Sequence, residues 1–135
     1  MPLPTVLLVE DYPASLMVGT MMLEHLGFTV ETAISGQEAI DKVHAAGKPF
    51  VAILMDVQMP GMDGFTAMSH IRKLEQEKGY RNTIIAVTAQ AMAGDRERCL
   101  EAGMDDYISK PIRPDILKQK LAALALTNYG ILKTE

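Results

Sequence analysis

Four short apolar runs of the chain are each followed by polar side chains that could bind a metal ion or a phosphate. These side chains are Glu10, Asp11, Asp56, Thr88 and Lys110. If the runs are parallel strands of one sheet, their carboxyl ends meet at one edge of that sheet. Three carboxylates at one edge would repel each other strongly, and one lysine cannot neutralise them. A hard divalent cation could, and Mg²⁺ prefers one or two carboxylates with water and phosphate oxygens. The predicted chemistry is therefore Mg²⁺-dependent phosphoryl transfer.

The expected charges also suggest a role for each of these residues. Asp11, Asp56 and the backbone carbonyl of Gln58 are the predicted Mg²⁺ ligands, while Glu10 lies further back and orients metal-bound water. Asp56 is the predicted nucleophile, since a carboxylate can form an acyl phosphate. Each residue alone has an ordinary role as a turn former or helix cap, so the combination carries the prediction.

Two further side chains of this set would contact the phosphoryl oxygens. Lys110 supplies a second positive charge, and the Thr88 hydroxyl can donate a hydrogen bond.

An alternation of apolar runs and amphipathic segments predicts the elements that position these residues. The predicted strands are residues 6–9, 28–30, 50–55, 84–87 and 107–108. Their continuous apolar character is typical of parallel strands that are covered on both faces. The predicted helices are residues 13–26, 35–46, 64–78, 92–102 and 113–126. Five strand–helix units in strict order predict a doubly wound α/β fold, a three-layer sandwich.

Composition excludes several other classes of protein. The chain has 135 residues, 48% hydrophobic and 22% charged, which is typical of one folded domain. A net charge of −4 without a basic patch argues against direct binding to nucleic acid. Cys99 is the only cysteine, which favours a reducing, cytoplasmic location, and no apolar run is long enough for membrane insertion.

Four motifs, in order, resemble those of response-regulator receiver domains of two-component systems, over roughly residues 4–125. The motifs are residues 6–11 (VLLVED), 55–64 (MDVQMPGMDG), 86–89 (AVTA) and 106–111 (DYISKP). The stretch 94–106 (GDRERCLEAGMDD) is most similar to receivers attached to hybrid sensor histidine kinases. The resemblance implies a receiver domain at 4–126 and a C-terminal tail at 127–135. The segment Tyr12-Pro13-Ala14 departs from the family, which more often has Asn-Pro there.

The resemblance also implies a mechanism and partners. The sheet order would be 2-1-3-4-5, as in flavodoxin-like folds. The phosphoryl donor would be a phosphohistidine on a sensor histidine kinase or a histidine phosphotransfer domain. Thr88 and Tyr107 would form a conformational switch, the Lys110–Pro111 peptide bond would be cis, and phosphorylation could drive dimerisation.

The first helix is a predicted docking face for the phosphodonor. If Val18, Met22 and Leu26 face the sheet, an uncharged stripe lies on the outward or flanking side. This stripe consists of Leu16, Met17, Thr20 and Met21. Methionine suits such a surface because its flexible side chain adapts to different partners.

Two alternative functions remain open from sequence. A Mg²⁺-dependent phosphohydrolase with an aspartyl-phosphate intermediate would carry an acid two residues after its nucleophile. That position is Gln58, which cannot donate and recover a proton. A receiver-like interaction module that has lost phosphorylation is disfavoured because the acids, Thr88 and Lys110 are all present.

Overall fold

The computed structural model describes residues 4–59, 61–89 and 95–125, so the predicted tail 127–135 lies outside the described residues. The strands are β1 (Thr5–Val9), β2 (Thr29–Ala33), β3 (Ala52–Asp56), β4 (Ile84–Thr88) and β5 (Asp106–Ser109). The helices are α1 (Pro13–His25), α2 (Gly36–Ala45), α3 (Gly64–Lys78), α4 (Asp95–Ala102) and α5 (Pro114–Lys120). A π-helical turn, Leu121–Ala125, follows α5 directly. All predicted elements are present, although the predicted start of the fourth helix at residues 92–94 is outside the described residues.

The five strands form one parallel sheet in the order β2-β1-β3-β4-β5, as expected for a doubly wound fold. Every residue of β3 and β4 is buried, which explains their unbroken apolar sequences. The edge strand β2 instead alternates between more exposed and more buried positions. Because Glu31 and Thr32 are polar, the pattern of apolar residues did not predict the second half of this strand.

Helices cover both faces of the sheet. On one face, α2, α3 and α4 contribute residues such as Val43, Ile71 and Cys99 to a core cluster, which we call the α3-side core. On the other face, Leu23 of α1 and Leu117 of α5 belong to a second cluster, the α1-side core. The two clusters complete the predicted three layers.

The buried face of α1 differs from the predicted one. Val18, which was expected to face the sheet, is 48% exposed, whereas Gly19 and Leu23 are buried. A Cβ atom at position 19 would lie 2.9 Å from a methyl group of Leu8, so this glycine lets α1 approach β1 closely. Leu16, expected on the outward or flanking side, is half-buried and packs against the α1-side core. Met22 and Leu26 pack against the same core, as predicted. The prediction was wrong for Val18 because the close contact of α1 is made by Gly19, and glycine carries no apolar signal.

Side-chain caps fix where two helices begin. Ser35 Oγ accepts a hydrogen bond from the backbone N–H of Glu38 at 3.1 Å, and the Glu38 carboxylate accepts one from Ile34. At the start of α3, Asp63 Oδ1 accepts from the backbone N–H of Thr66 at 2.8 Å. The second cap fixes the start of α3 beside Asp56.

Within the described residues, no helix is both long and apolar enough to cross a membrane.

Candidate functional site

The carboxyl ends of the central strands bring the predicted site residues to one edge of the sheet. Glu10 and Asp11 directly follow β1, and Asp56 and Thr88 are the last residues of β3 and β4. Because β3 pairs with both β1 and β4, these residues follow one another along the same edge of the sheet. Lys110 joins them from the end of β5, and its backbone N–H donates to the Thr88 carbonyl at 2.8 Å.

Three carboxylates form the acid cluster, which we define as Glu10, Asp11 and Asp56. Each offers an oxygen atom, and these atoms all lie within 4.8 Å of one another. Glu10 and Asp56 are 5% and 2% exposed, while Asp11 is exposed to solvent. This set of hard oxygen donors, open on one side, fits a divalent cation that keeps part of its water shell.

Lys110 is the cation that contacts the acid cluster in the described part of the chain. Its Nζ atom lies 3.0 Å from Glu10 Oε1 and 3.1 Å from Asp56 Oδ2. Burial works against its charge, but the hydrogen bonds to Glu10 and Asp56 outweigh burial and raise the pKa of Lys110 above 10.5. Burial also raises the pKa of the Glu10 carboxyl above 4.5, with a further contribution from Asp56, although Lys110 opposes this. One lysine therefore leaves the acid cluster incompletely neutralised.

The Asp56 carboxylate is held by backbone as well as by Lys110. The backbone N–H of Gln58 donates to Asp56 Oδ1 at 2.9 Å, while Lys110 binds the other oxygen. Helix α3 begins directly against this turn: a Cβ atom at Gly64 would lie 2.6 Å from the Asp56 carbonyl oxygen and 2.7 Å from Val57 Cα. A side chain at position 64 would therefore displace the backbone that carries Asp56.

Thr88 and Tyr107 lie on neighbouring strands at the side of the site. Thr88 is 5% exposed and stands opposite Ser109, while Tyr107 stands opposite Ala86. Tyr107 is half-buried and packs against the α3-side core. The Lys110–Pro111 peptide bond is cis, as the resemblance implies.

The exposed part of α1 carries an apolar surface beside the acid cluster. We define the α1 surface as Tyr12, Met17, Val18 and Met21, which are between 48% and 62% exposed. Thr20, another predicted docking residue, is half-buried and donates its hydroxyl to the Leu16 carbonyl at 2.7 Å. Of the predicted docking stripe, only Met17 and Met21 are therefore fully on the surface.

A polar network at the opposite, amino end of the sheet was not predicted. Arg72 of α3 donates to the Gly103 carbonyl at 2.7 and 3.1 Å, and to Glu75, the Asn82 carbonyl and Asp105. Glu75 in turn accepts from the backbone and side chain of Asn82 at 2.6 and 2.8 Å. We call Arg72, Glu75, Asn82 and Asp105 the amino-end network. Only the three-residue spacing of Arg72 and Glu75 hinted at it in the sequence.

A protein family and individual proteins of that family match this chain in sequence. The model of the response regulator receiver domain family matches residues 6–122. A sensor histidine kinase, GacS of Pseudomonas protegens, is 42% identical over 131 residues, which cover 94% of this chain and 14% of GacS. The chain therefore spans about one seventh of the length of that relative.

Solved structures show the same fold. The receiver domain of the sensor histidine kinase PA1611 from Pseudomonas aeruginosa, solved with a magnesium ion in its active-site cleft, is 40% identical with a TM-score of 0.80. The match covers 93% of this chain and 98% of that one. The receiver domain of Ssk1 in complex with the histidine phosphotransfer protein Ypd1, from Saccharomyces cerevisiae, is 28% identical with a TM-score of 0.83. This match covers 94% of this chain and 92% of that one.

Proposed function

Because the chain belongs to the response regulator receiver domain family, we propose that it accepts a phosphoryl group from a phosphohistidine onto Asp56, in a Mg²⁺-dependent reaction. The observation that carries this proposal is the acid cluster with Lys110 at 3.1 Å from the buried Asp56 carboxylate. Asp56 is central, almost fully buried and held at both oxygens, which suits a group that must meet phosphorus in one orientation.

The transfer is a displacement at phosphorus. A carboxylate oxygen of Asp56 forms a bond to phosphorus as the phosphorus–nitrogen bond to the donor histidine breaks. The electron pair of that bond returns to the imidazole nitrogen. Hydrolysis of the acyl phosphate later transfers the phosphoryl group to water and restores the carboxylate.

Mg²⁺ is the cofactor that the acid cluster fits. Asp11, Asp56 and the Gln58 backbone carbonyl would hold it, with Glu10 behind them as an acceptor for its water. When bound, Mg²⁺ offsets the charge of the phosphoryl oxygens. The PA1611 receiver domain, 40% identical, was solved with magnesium in its cleft, which supports the same cofactor here.

Lys110 and Thr88 would complete the phosphoryl site. The Lys110 ammonium, already between Glu10 and Asp56, can donate to a phosphoryl oxygen in place of Glu10. The Thr88 hydroxyl can donate to another phosphoryl oxygen when Thr88 moves toward it. Tyr107 then turns inward on the neighbouring strand, and the surface formed by α4, β5 and α5 changes.

We infer that the chain does not turn over external phosphate esters and instead catalyses its own phosphorylation and dephosphorylation. Gln58 stands where a phosphohydrolase of this kind would need a proton-donating acid. Incubation with p-nitrophenyl phosphate and Mg²⁺ should release no nitrophenol above the rate measured without the protein. Sustained release would favour the phosphohydrolase.

The α1 surface is the proposed docking site for the phosphodonor. A cavity of about 440 Å³ adjoins it and has Val18, Gly19, Glu10 and Lys110 in its wall. A partner helix on this surface would therefore lie beside the acid cluster. The Ssk1 receiver domain binds a histidine phosphotransfer protein, which supports a partner of that class or a sensor kinase.

The proposed receiver unit is residues 4–126, and the sequence prediction of a C-terminal tail at 127–135 lies outside the described residues. We also propose that phosphorylation can drive dimerisation through the surface formed by α4, β5 and α5. The net charge of −4 argues against direct binding to nucleic acid. The proposed partners favour a cytoplasmic location.

Acetyl phosphate tests the proposed function without a protein donor. With Mg²⁺, the intact mass of the chain should increase by one phosphoryl group, and excess EDTA should prevent the increase. Asp56→Asn should remain unlabelled while folding normally. Equal labelling in EDTA, or stoichiometric labelling of Asp56→Asn, would reject the proposed site.

A further inference from the structure

We propose that Lys120 is a positioning residue that holds Tyr107 in its unphosphorylated orientation and thereby opposes the switch. This inference rests on the proposed function, which assigns the switch to Thr88 and Tyr107. It adds a specific restraint on that switch, supplied by a residue near the end of α5.

Lys120 makes two contacts at the edge of the sheet. Its Nζ atom lies 2.8 Å from Asp106 Oδ2 and 5.7 Å from the centroid of the Tyr107 ring. These distances fit an ion pair and a cation–π contact. The two charged side chains are 30% and 13% exposed, so water screens the pair only partly.

The location of β5 allows Lys120 to contact both residues. Ile108 belongs to the α1-side core and Tyr107 packs against the α3-side core. Because side chains alternate along a strand, Asp106 lies on the same side of β5 as Ile108. Since β5 is an edge strand of the sheet that the described residues form, none of these strands separates α5 from the Tyr107 ring. The Lys120 side chain can therefore reach around the edge to the ring.

The strand register sets the direction of the effect. Tyr107 stands opposite Ala86, and Thr88 lies two residues further toward the carboxyl end on the same face of β4. A ring that turns toward Thr88 must pass over the small Ala86 side chain. Asp106 binds the Lys120 ammonium, and it precedes Tyr107 along β5, in the direction away from Thr88. The cation–π contact is therefore made in the described form and lost in the switched form.

A contact that exists in only one of two states biases the equilibrium toward that state. For a partly exposed cation–π contact, the loss corresponds to about a two- to fivefold change in the affinity of any ligand that selects the switched form. Beryllofluoride, which mimics a phosphoryl group on a carboxylate, is such a ligand.

The test is a calorimetric titration with beryllofluoride at saturating Mg²⁺. Lys120→Met keeps the aliphatic stem and removes the charge, and its Kd should be about two- to fivefold lower than that of the unsubstituted chain. Simple loss of a positive charge predicts the opposite sign, because beryllofluoride is an anion. Lys118→Met removes the same charge from an exposed position of the same helix and should not tighten binding. Lys120→Arg should keep the original affinity.

The same substitution in a Tyr107→Leu chain shows whether Lys120 acts through the ring. In the Tyr107→Leu chain, Lys120→Met should leave the Kd for beryllofluoride unchanged. Unchanged or weaker binding by Lys120→Met, or the same gain in the Tyr107→Leu chain, would overturn the role of Lys120. If the unsubstituted chain binds no beryllofluoride, the proposed function fails, and this inference fails with it.

Discussion

At the level of single residues, charge balance decides what the site can bind. Two members of the acid cluster are buried, and the third, Asp11, is exposed. Lys110 bridges Glu10 and Asp56 but lies on one side of the cluster, so the side of Asp11 remains for a metal ion. Such a site should bind Mg²⁺ through few protein ligands and lose affinity when one is removed.

We expect Asp11→Ala to weaken Mg²⁺ binding by at least about 10-fold, because it removes a direct carboxylate ligand and the loss of an outer-shell partner alone typically costs that much. Labelling by acetyl phosphate should slow at limiting Mg²⁺ and partly recover when Mg²⁺ is raised. Calorimetry measures the affinity directly. Asp41→Ala removes an exposed acid of α2 and controls for the change in net charge. Equal Mg²⁺ affinity in the two variants would contradict the assignment of Asp11 as a ligand.

At the level of elements, the start of α3 controls the backbone around Asp56. Gly64 contacts that backbone so closely that Gly64→Ala must move it. We expect a loss of about 1–3 kcal/mol in the free energy of unfolding, together with slower labelling by acetyl phosphate. Urea unfolding measures the first effect and mass spectrometry the second.

The control for this substitution is Gly47→Ala, where an added Cβ meets no atom within 4 Å. It should leave both stability and labelling nearly unchanged. If Gly64→Ala were as stable and as active as Gly47→Ala, the close approach of α3 would have no consequence for the site.

The exposed methionines of α1 should affect protein donors selectively. Met17→Glu or Met21→Glu places a charge on the α1 surface without entering the acid cluster. We expect slower phosphotransfer from a phosphorylated histidine phosphotransfer domain that labels the unsubstituted chain, with unchanged labelling by acetyl phosphate. Gln76→Glu adds the same charge to an exposed position of α3, and this variant should accept the phosphoryl group from the donor at the normal rate. An equal loss with both donors would mean that the fold or site was damaged.

The elements also show what sequence alone can and cannot predict. The buried strands β3 and β4 and the polar residues at their ends were predicted because uninterrupted apolar runs have one simple explanation. Val18 was wrongly assigned to the buried face of α1 because that face depends on the packing of Gly19 against Leu8, which no periodicity of side chains reports. Lys120 was missed because its partners are close in space but distant in sequence.

At the level of the whole molecule, stability and chemistry lie at opposite ends of the sheet. The amino-end network joins α3, the start of β4 and the turn before β5, far from the acid cluster along the strands. Its central cation, Arg72, has a side chain only 17% exposed and pairs with the buried Glu75. Removing Arg72 should therefore destabilise the fold without altering the phosphoryl site.

We expect Arg72→Met to reduce the free energy of unfolding by about 3 kcal/mol, because Glu75 would be left buried without its cation. Arg81→Met removes a cation that also pairs with Asp105 but is 53% exposed, and should cost less than about 1 kcal/mol. Urea unfolding compares the two variants. Similar losses would show that burial does not set the strength of this network.

The central claim is that Asp56 carries the phosphoryl group, and chemical trapping tests it most directly. Borohydride reduces an acyl phosphate to the alcohol, so a phosphorylated aspartate becomes homoserine. After reaction with acetyl phosphate and Mg²⁺, reduction and proteolysis, peptide mass spectrometry should find homoserine at position 56 and aspartate at positions 11 and 63. Homoserine at another position, with unmodified Asp56 in a chain that had gained a phosphoryl mass, would contradict the account.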